Sequence, residues 1–142
     1  MAAGPTVKQI MQAYPDKIRL VIKNYPYKYR DFAKISAEAS LAARDQGKYW
    51  EMHDILLTRS PKLNRASLIA YAGELGLDVK KFTESIDSGR NAKEIDRDVK
   101  LAESMDLYNT PTFYINGRQV VGERPFDYFK KIIDEELNQA AR

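Results

Sequence analysis

Residues 109–117 read Asn-Thr-Pro-Thr-Phe-Tyr-Ile-Asn-Gly, and they decide the fold prediction for this chain of 142 residues. Pro111 favours a turn, and the run from Thr112 to Asn116 is rich in the β-branched and aromatic residues typical of strands. Asn116 and Gly117 tolerate the positive φ angles of a tight hairpin. We therefore predict a proline turn that leads into a hairpin, with its second strand at residues 119–121.

Helices are predicted on both sides of this hairpin. After it, Pro125 introduces an amphipathic C-terminal helix whose apolar face carries Phe126, Phe129, Ile132, Ile133 and Leu137. Before it, a helical block is predicted over residues 31–58 with a break at Gly47, then 64–74, 78–88 and 92–105. Asn64 and Asp78 are placed to cap two of these helices.

The first 26 residues predict a helix and a strand. Val7, Ile10 and Met11 have helical spacing within residues 6–14, with Thr6 as the expected cap. Ile18–Tyr25 is apolar and β-branched with only partial alternation, which suits a strand covered on both faces. Pro26 ends this predicted strand.

Composition excludes several classes of protein. The 23 Lys and Arg residues exceed the 20 Asp and Glu residues by only three, and the two signs are interspersed, so we expect no nucleic-acid partner. No stretch approaches the roughly 18 apolar residues of a membrane helix, so no membrane insertion is expected. The sequence shows no signal peptide and leaves the compartment unknown.

The chain contains no cysteine and one histidine, His53. It can therefore form no disulfide, no thiolate metal site and no cysteine nucleophile of its own. We predict no catalytic residue, no metal site and no cofactor, and we interpret His53 as an ordinary helix residue. The aromatic cluster of Tyr49, Trp50, Met52 and Phe82 could line a peptide groove, although core packing is the commoner role of such residues.

Taken in order, these pieces resemble the DsbA family of the thioredoxin fold. The resemblance covers nearly the whole chain and is carried by residues 14–21 (YPDKIRLV), 24–26 (NYP) with Phe32-Ala33, 47–54 (GKYWEMHD), 109–113 (NTPTF) and Asn116-Gly117. It implies an α/β, thioredoxin-like fold of DsbA type. We expect a single domain over residues 1–142, with a large helical insertion at about 31–107.

The family's redox motif is missing. In DsbA-like proteins a first strand runs into Cys-x-x-Cys at the start of the first helix, and residues 1–5 here resemble the stretch just after the second cysteine. The expected fold is thus an N-terminally truncated one, and natural loss of the cysteines is the other account. Since the absent strand is central in the family, two sheet edges would lack a partner, and we expect self-association into an oligomer through them.

The resemblance implies thiol-disulfide oxidoreductase ancestry without activity in this chain alone, so its status as an enzyme stays open. In the family the bond before the loop proline is cis. That loop docks extended polypeptide, which places the substrate site at Thr110, Pro111 and Thr112, with Phe113 as support. The alternative is a redox-silent peptide-binding or chaperone-like module. A serine-dependent relative of the isomerases or kappa-type glutathione transferases is disfavoured, because no serine precedes Ser36. Family members act mostly in the periplasm or cell envelope.

Overall fold

The structure is a computed structural model that describes residues 3–142. Within these residues seven helices and two strands follow in the order α1 (Ala3–Ala13), α2 (Ala33–Arg44), α3 (Tyr49–Thr58), α4 (Arg65–Glu74), α5 (Val79–Ser88), α6 (Ala92–Ser104), β1 (Thr112–Ile115), β2 (Arg118–Val121) and α7 (Phe126–Ala140). The fold is thioredoxin-like, mostly helical, with a small two-stranded sheet. Residues 1 and 2, which the resemblance places just after a redox motif, lie outside the described residues.

The chain forms two compact units. One, here called the hairpin unit, joins the described residues up to Ile22 with Asp106–Arg142, and the other, the helical unit, is Lys23–Met105. The extent of a single domain over residues 1–142, with its insertion at about 31–107, stays a prediction.

The hairpin unit is built on the predicted β-hairpin. β1 and β2 pair antiparallel, with Ile115 opposite Arg118, so the loop has only two residues and the second strand begins one residue earlier than predicted. Asn116 and Gly117 have φ angles of 49° and 88°, as a tight hairpin loop requires. The apolar face of this unit is formed by Ile10, Tyr14, Val120, Phe129, Ile132 and Ile133.

The helical unit packs its helices around α2, which contacts α3, α4, α5 and α6. Phe82, Met52 and Leu68 are fully buried at its centre. The two predicted caps are confirmed, because the side chain of Asn64 accepts a hydrogen bond from the N–H of Ser67 and that of Asp78 accepts one from Lys81. Since Phe82 and Met52 are fully buried, these two residues of the aromatic cluster do not line a peptide groove, whereas Trp50 is 50% exposed.

The predicted strand at Ile18–Tyr25 is wrong. Neither a strand nor a helix is assigned among these residues. A strand requires the backbone groups of a neighbour, and within residues 3–142 the only paired strands are β1 and β2. The predicted cap Thr6 is also wrong, because α1 already contains residues 3–5.

Contacts with Asp98 of α6, and not strand pairing, fix the first residues of the helical unit. Its carboxylate is buried, accepts a hydrogen bond of 2.9 Å from the backbone N–H of Asn24, and lies 3.0 Å from the ammonium of Lys23. The Lys23 side chain is 59% exposed, so water screens this ion pair and its contribution to stability is small. The bond to Asn24 is therefore the more important of the two.

We expect Asp98→Ala to lower the free energy of unfolding of the helical unit by about 1–3 kcal/mol, because the N–H of Asn24 loses its acceptor. Asp98→Asn keeps an acceptor oxygen and should lose less. Urea unfolding of the three proteins measures the differences. Equal stability of wild type and Asp98→Ala would show that the contact contributes nothing.

Glu38 is a second buried carboxyl group of this unit. It is 3% exposed; Oε2 accepts a hydrogen bond from the N–H of Asn91 at 3.2 Å, while Oε1 has no partner among the described residues. Burial is the main cause that raises the pKa of Glu38 above its ordinary value of 4.5, and Asp96 adds to it, whereas Asn91 and Lys34 oppose it. Glu38 therefore binds its proton more tightly in the folded state than in the unfolded state.

This raised pKa predicts a pH dependence of stability. A group whose pKa is higher in the folded state contributes stability that is fully present below its unfolded-state pKa and is lost as the pH rises through the folded-state value. Glu38→Gln should therefore lose less stability than wild type as the pH rises above 4.5, the ordinary Glu value. Denaturant unfolding at a series of pH values tests this, and parallel profiles for the two proteins would contradict it.

Candidate functional site

The predicted docking residues lie together at the turn before β1. The Thr110–Pro111 bond is cis, which is the geometry that the resemblance implies. The hydroxyl of Thr112 donates to the carbonyl of Asn109 at 2.6 Å, and the N–H of Gly122 donates to the carbonyl of Pro111 at 2.8 Å. The turn is thus held from within and from the β2 side, while Asn109 and Thr110 are exposed.

The pairing of the hairpin decides which backbone groups of β1 face away from β2. In an antiparallel pair, residues that exchange hydrogen bonds alternate with residues whose N–H and C=O point outward. Because Pro111 bonds to Gly122 and the loop has two residues, the bonded positions of β1 are Phe113 and Ile115. The N–H and C=O groups of Thr112 and Tyr114 therefore lie on the other edge.

We call this outward side of residues 112–115, with the turn at 109–111, the docking edge. Within residues 3–142, no strand pairs with it. Residues 107–117 carry no charged side chain, whereas exposed edge strands are usually protected by lysine, proline or a bulge. The free edge of β2 differs, since Arg118 at its start pairs with Glu135 at 2.7 Å.

Two exposed tyrosines accompany the docking edge in sequence. Tyr108 is 78% exposed, and Tyr114 is 38% exposed, with its hydroxyl accepting a hydrogen bond from the side-chain amide of Gln119 at 2.9 Å. Phe113 is half-buried and packs edge-on against Phe129 with ring centres 4.8 Å apart, which agrees with its expected supporting role. Tyr114 was not among the predicted site residues, although counting pairs back from a two-residue loop at Asn116-Gly117 could have found it.

The chemistry available at the docking edge is backbone pairing. The chain has no thiol, and His53 belongs to the helical unit, where burial lowers its pKa and its ring packs against Tyr49 and Trp50.

Among residues 3–142, no group of three His, Asp or Glu side chains is placed to hold a metal ion. No helix in the same range is long and apolar enough to cross a membrane.

Comparison with known proteins gives one family match. The thioredoxin family profile matches residues 2–135. Among solved structures, a thioredoxin-like oxidoreductase from Silicibacter pomeroyi DSS-3 is similar, with a TM-score of 0.85 and 27% identity over 95% of this chain and 77% of that chain. The thiol-disulfide exchange protein alpha-DsbA2 from Wolbachia pipientis has a TM-score of 0.83 at 22% identity over 94% and 73% of the two chains, which shows a shared fold.

Curated relatives are much longer proteins. The chain is 38% identical over 118 residues to the Na⁺/H⁺ antiporter NhaA 3 of Salinispora tropica, which covers 82% of this chain and 18% of the antiporter. It is 38% identical over 109 residues to the Na⁺/H⁺ antiporter NhaA of Herminiimonas arsenicoxydans, covering 77% and 17%. The chain thus spans less than a fifth of the length of these two relatives.

Proposed function

The chain belongs to the thioredoxin family, and we propose that it is a redox-inactive, DsbA-like domain that binds an extended polypeptide along the docking edge. Its fold is DsbA-like and it has no cysteine for thiol-disulfide exchange. The partner in this proposal is a segment of unfolded or flexible polypeptide, added to β1 as a strand.

One observation carries this proposal: within residues 3–142, β1 pairs with a strand on one side only, and residues 107–117 carry no charged side chain. Strand addition gains affinity from main-chain hydrogen bonds and specificity from alternate side chains. The outward N–H and C=O groups of Thr112 and Tyr114 supply the main-chain hydrogen bonds, and the turn at Thr110 and Pro111 extends the edge. A chaperone-like role would use the same edge with less selectivity, and self-association through it stays a prediction.

A pair of proline substitutions tests this role of the edge. Tyr114→Pro removes an outward N–H from β1, while the bonds of Phe113 and Ile115 to β2 are kept. We expect binding of a fluorescein-labelled extended peptide, measured by anisotropy, to weaken about tenfold or more, because at least one backbone hydrogen bond is lost and the proline ring blocks the approach of a strand.

Gln119→Pro is the matched control, since Gln119 lies directly opposite Tyr114 and its own N–H faces the free edge of β2. It should leave peptide binding within about twofold of wild type. Circular dichroism checks that both variants fold. Equal loss of binding in the two variants, or none in Tyr114→Pro, would contradict docking on β1.

A second candidate role is that of an accessory domain of a membrane transporter. The specific observation in its favour is that similar curated proteins are named Na⁺/H⁺ antiporters, and that this chain corresponds to less than a fifth of them. In this role the chain would act beside a membrane and would not itself carry ions.

A segment exchange tests the second role. In the Salinispora tropica antiporter, the matching 118 residues are deleted in one variant and replaced by this chain in another. We expect the deletion to lower Na⁺/H⁺ exchange in membrane vesicles and the replacement to restore it. Full exchange after deletion would exclude an accessory function for this type of segment.

A further inference from the structure

The two faces of β1 differ in character. Side chains alternate between the two faces of a sheet along each strand, so Phe113 and Ile115 share one face, whereas Thr112 and Tyr114 share the other. Phe113 and Ile115 are half-buried and pack against the core of the hairpin unit. We call their side the inner face and the side of Thr112 and Tyr114 the outer face. A strand docked on β1 would therefore present its side chains alternately to an apolar face and to a polar one.

The inner face is less well covered on β1 than on β2. Val120, which lies opposite Phe113 on β2, is only 3% exposed, whereas Phe113 and Ile115 both keep part of their surface exposed. β2 lies on one side of β1, and within residues 3–142 no strand lies on the other side, which is the docking edge. Apolar surface of the inner face therefore remains available to a docked strand.

A strand added to β1 would bring its side chains into contact with this surface. Adjacent strands lie about 4.7–4.9 Å apart, and the Cβ atoms of directly opposite residues are about 4.5–5.5 Å apart. Every second side chain of the added strand would thus lie beside Phe113 or Ile115. Apolar side chains are favoured at these positions because they bury area, whereas polar ones lose water without gaining a partner.

The outer face makes a different demand on the added strand. Tyr114 is 38% exposed, and its hydroxyl accepts a hydrogen bond from the side chain of Gln119. The hydroxyl of Thr112 donates to the carbonyl of Asn109. Since residues 107–117 carry no charge, β1 offers no partner to a charged side chain. Uncharged polar side chains of a docked strand therefore suit the outer face, where they stay in contact with water.

We infer that the docking edge selects strands in which apolar residues alternate with uncharged polar residues, with the apolar ones on the inner face. This inference rests on the proposed peptide binding and names the class of polypeptide that is bound. The positions beside Phe113 and Ile115 decide the selectivity. A segment without apolar residues at both i and i+2 can fill only one of them, so it should bind more weakly.

Two heptapeptides of equal composition test the inference on the full chain, each labelled with fluorescein and measured by anisotropy. The sequence Ile-Thr-Ile-Thr-Ile-Thr-Ile alternates, whereas Ile-Ile-Thr-Thr-Ile-Ile-Thr never has isoleucine at both i and i+2. Isoleucine and threonine are both β-branched, so the two peptides have the same strand propensity. We expect the alternating peptide to bind about fivefold to tenfold more tightly, because it buries one more apolar side chain against the inner face.

A pair of substitutions tests the inner face itself. Ile115→Thr removes apolar surface there but keeps the backbone, and it should lower the preference for the alternating peptide to about twofold. Val121→Thr is the matched control, because Val121 is a half-buried residue of β2 that lies opposite Thr112 and hence on the outer face. It should keep the preference of the wild type. Circular dichroism checks that both variants fold.

The outcomes separate this inference from the proposed function. Equal affinities of the two peptides for the wild-type chain would overturn the inference and leave peptide docking in place. An unchanged preference in Ile115→Thr, or an equal fall in Val121→Thr, would overturn the assignment of selectivity to the inner face. Failure of both peptides to bind would overturn the inference together with the docking on which it rests.

Discussion

A chain extended ahead of Met1 by a β-strand and Cys-x-x-Cys is expected to catalyse the reduction of insulin by dithiothreitol, whereas the chain as it stands is not. The extension would place the thiols just before α1, whose first described residue is Ala3. A helix N-terminus lowers a thiol pKa from about 8.5 into the range of roughly 3.5–7.5, which raises the thiolate fraction at neutral pH about tenfold or more. The added strand would pair with β1 along the docking edge, so insulin would dock in this variant at the turn of Thr110 and Pro111.

The reaction in that extended chain is ordinary thiol-disulfide exchange. One thiolate attacks an insulin disulfide, a mixed disulfide forms, and the second thiol releases the reduced insulin chain while dithiothreitol reduces the resulting disulfide. An extension with Ser-x-x-Ser is the control and should be inactive. A well-folded Cys-x-x-Cys variant with no activity, or any turnover by the unextended chain, would contradict the DsbA-like interpretation.

Phe82→Ala is expected to have the largest effect on stability of the substitutions considered. Phe82 is fully buried in α5 and packs in one core with Met52, Leu68 and Ile86. Removal of a buried aromatic ring loses its transfer free energy and leaves a cavity, so the free energy of unfolding of the helical unit should fall by about 3–5 kcal/mol. Trp50, the only tryptophan, lies in this unit and reports its unfolding by fluorescence.

The control for this prediction is Leu101→Ala, because Leu101 is an apolar residue of the same unit that is 47% exposed. It should change stability by less than about 0.5 kcal/mol. A loss below about 1 kcal/mol in Phe82→Ala would show that the core around α5 is not packed as described.

Features that depend on residues close together in the sequence were predicted correctly. The caps at Asn64 and Asp78 and the hairpin at Asn116-Gly117 were predicted correctly, because each rests on the conformational preference of one or two residues. The DsbA-like fold was also predicted correctly, from the order of these pieces.

Sequence reasoning failed where structure depends on distant partners. Ile18–Tyr25 has the composition of a buried strand, yet a strand exists only beside another strand, and composition does not reveal whether one is there. The burial of Glu38 in α2 was likewise not predicted, because its partner Asn91, just before α6, is 53 residues away in the sequence. Of the site, the turn at Thr110–Thr112 was predicted, whereas Tyr114 was missed, because the second strand was predicted to begin one residue later than Arg118, where it begins.

The role of β1 as a docking edge is tested most directly by amide hydrogen exchange, measured residue by residue with and without a bound extended peptide. Phe113 and Ile115 already donate to β2, so their exchange should change little, whereas the amides of Thr112 and Tyr114 should become protected by about tenfold or more. This alternating pattern is the predicted result. Unchanged exchange at Thr112 and Tyr114 with saturating peptide would contradict the proposal that this edge binds polypeptide.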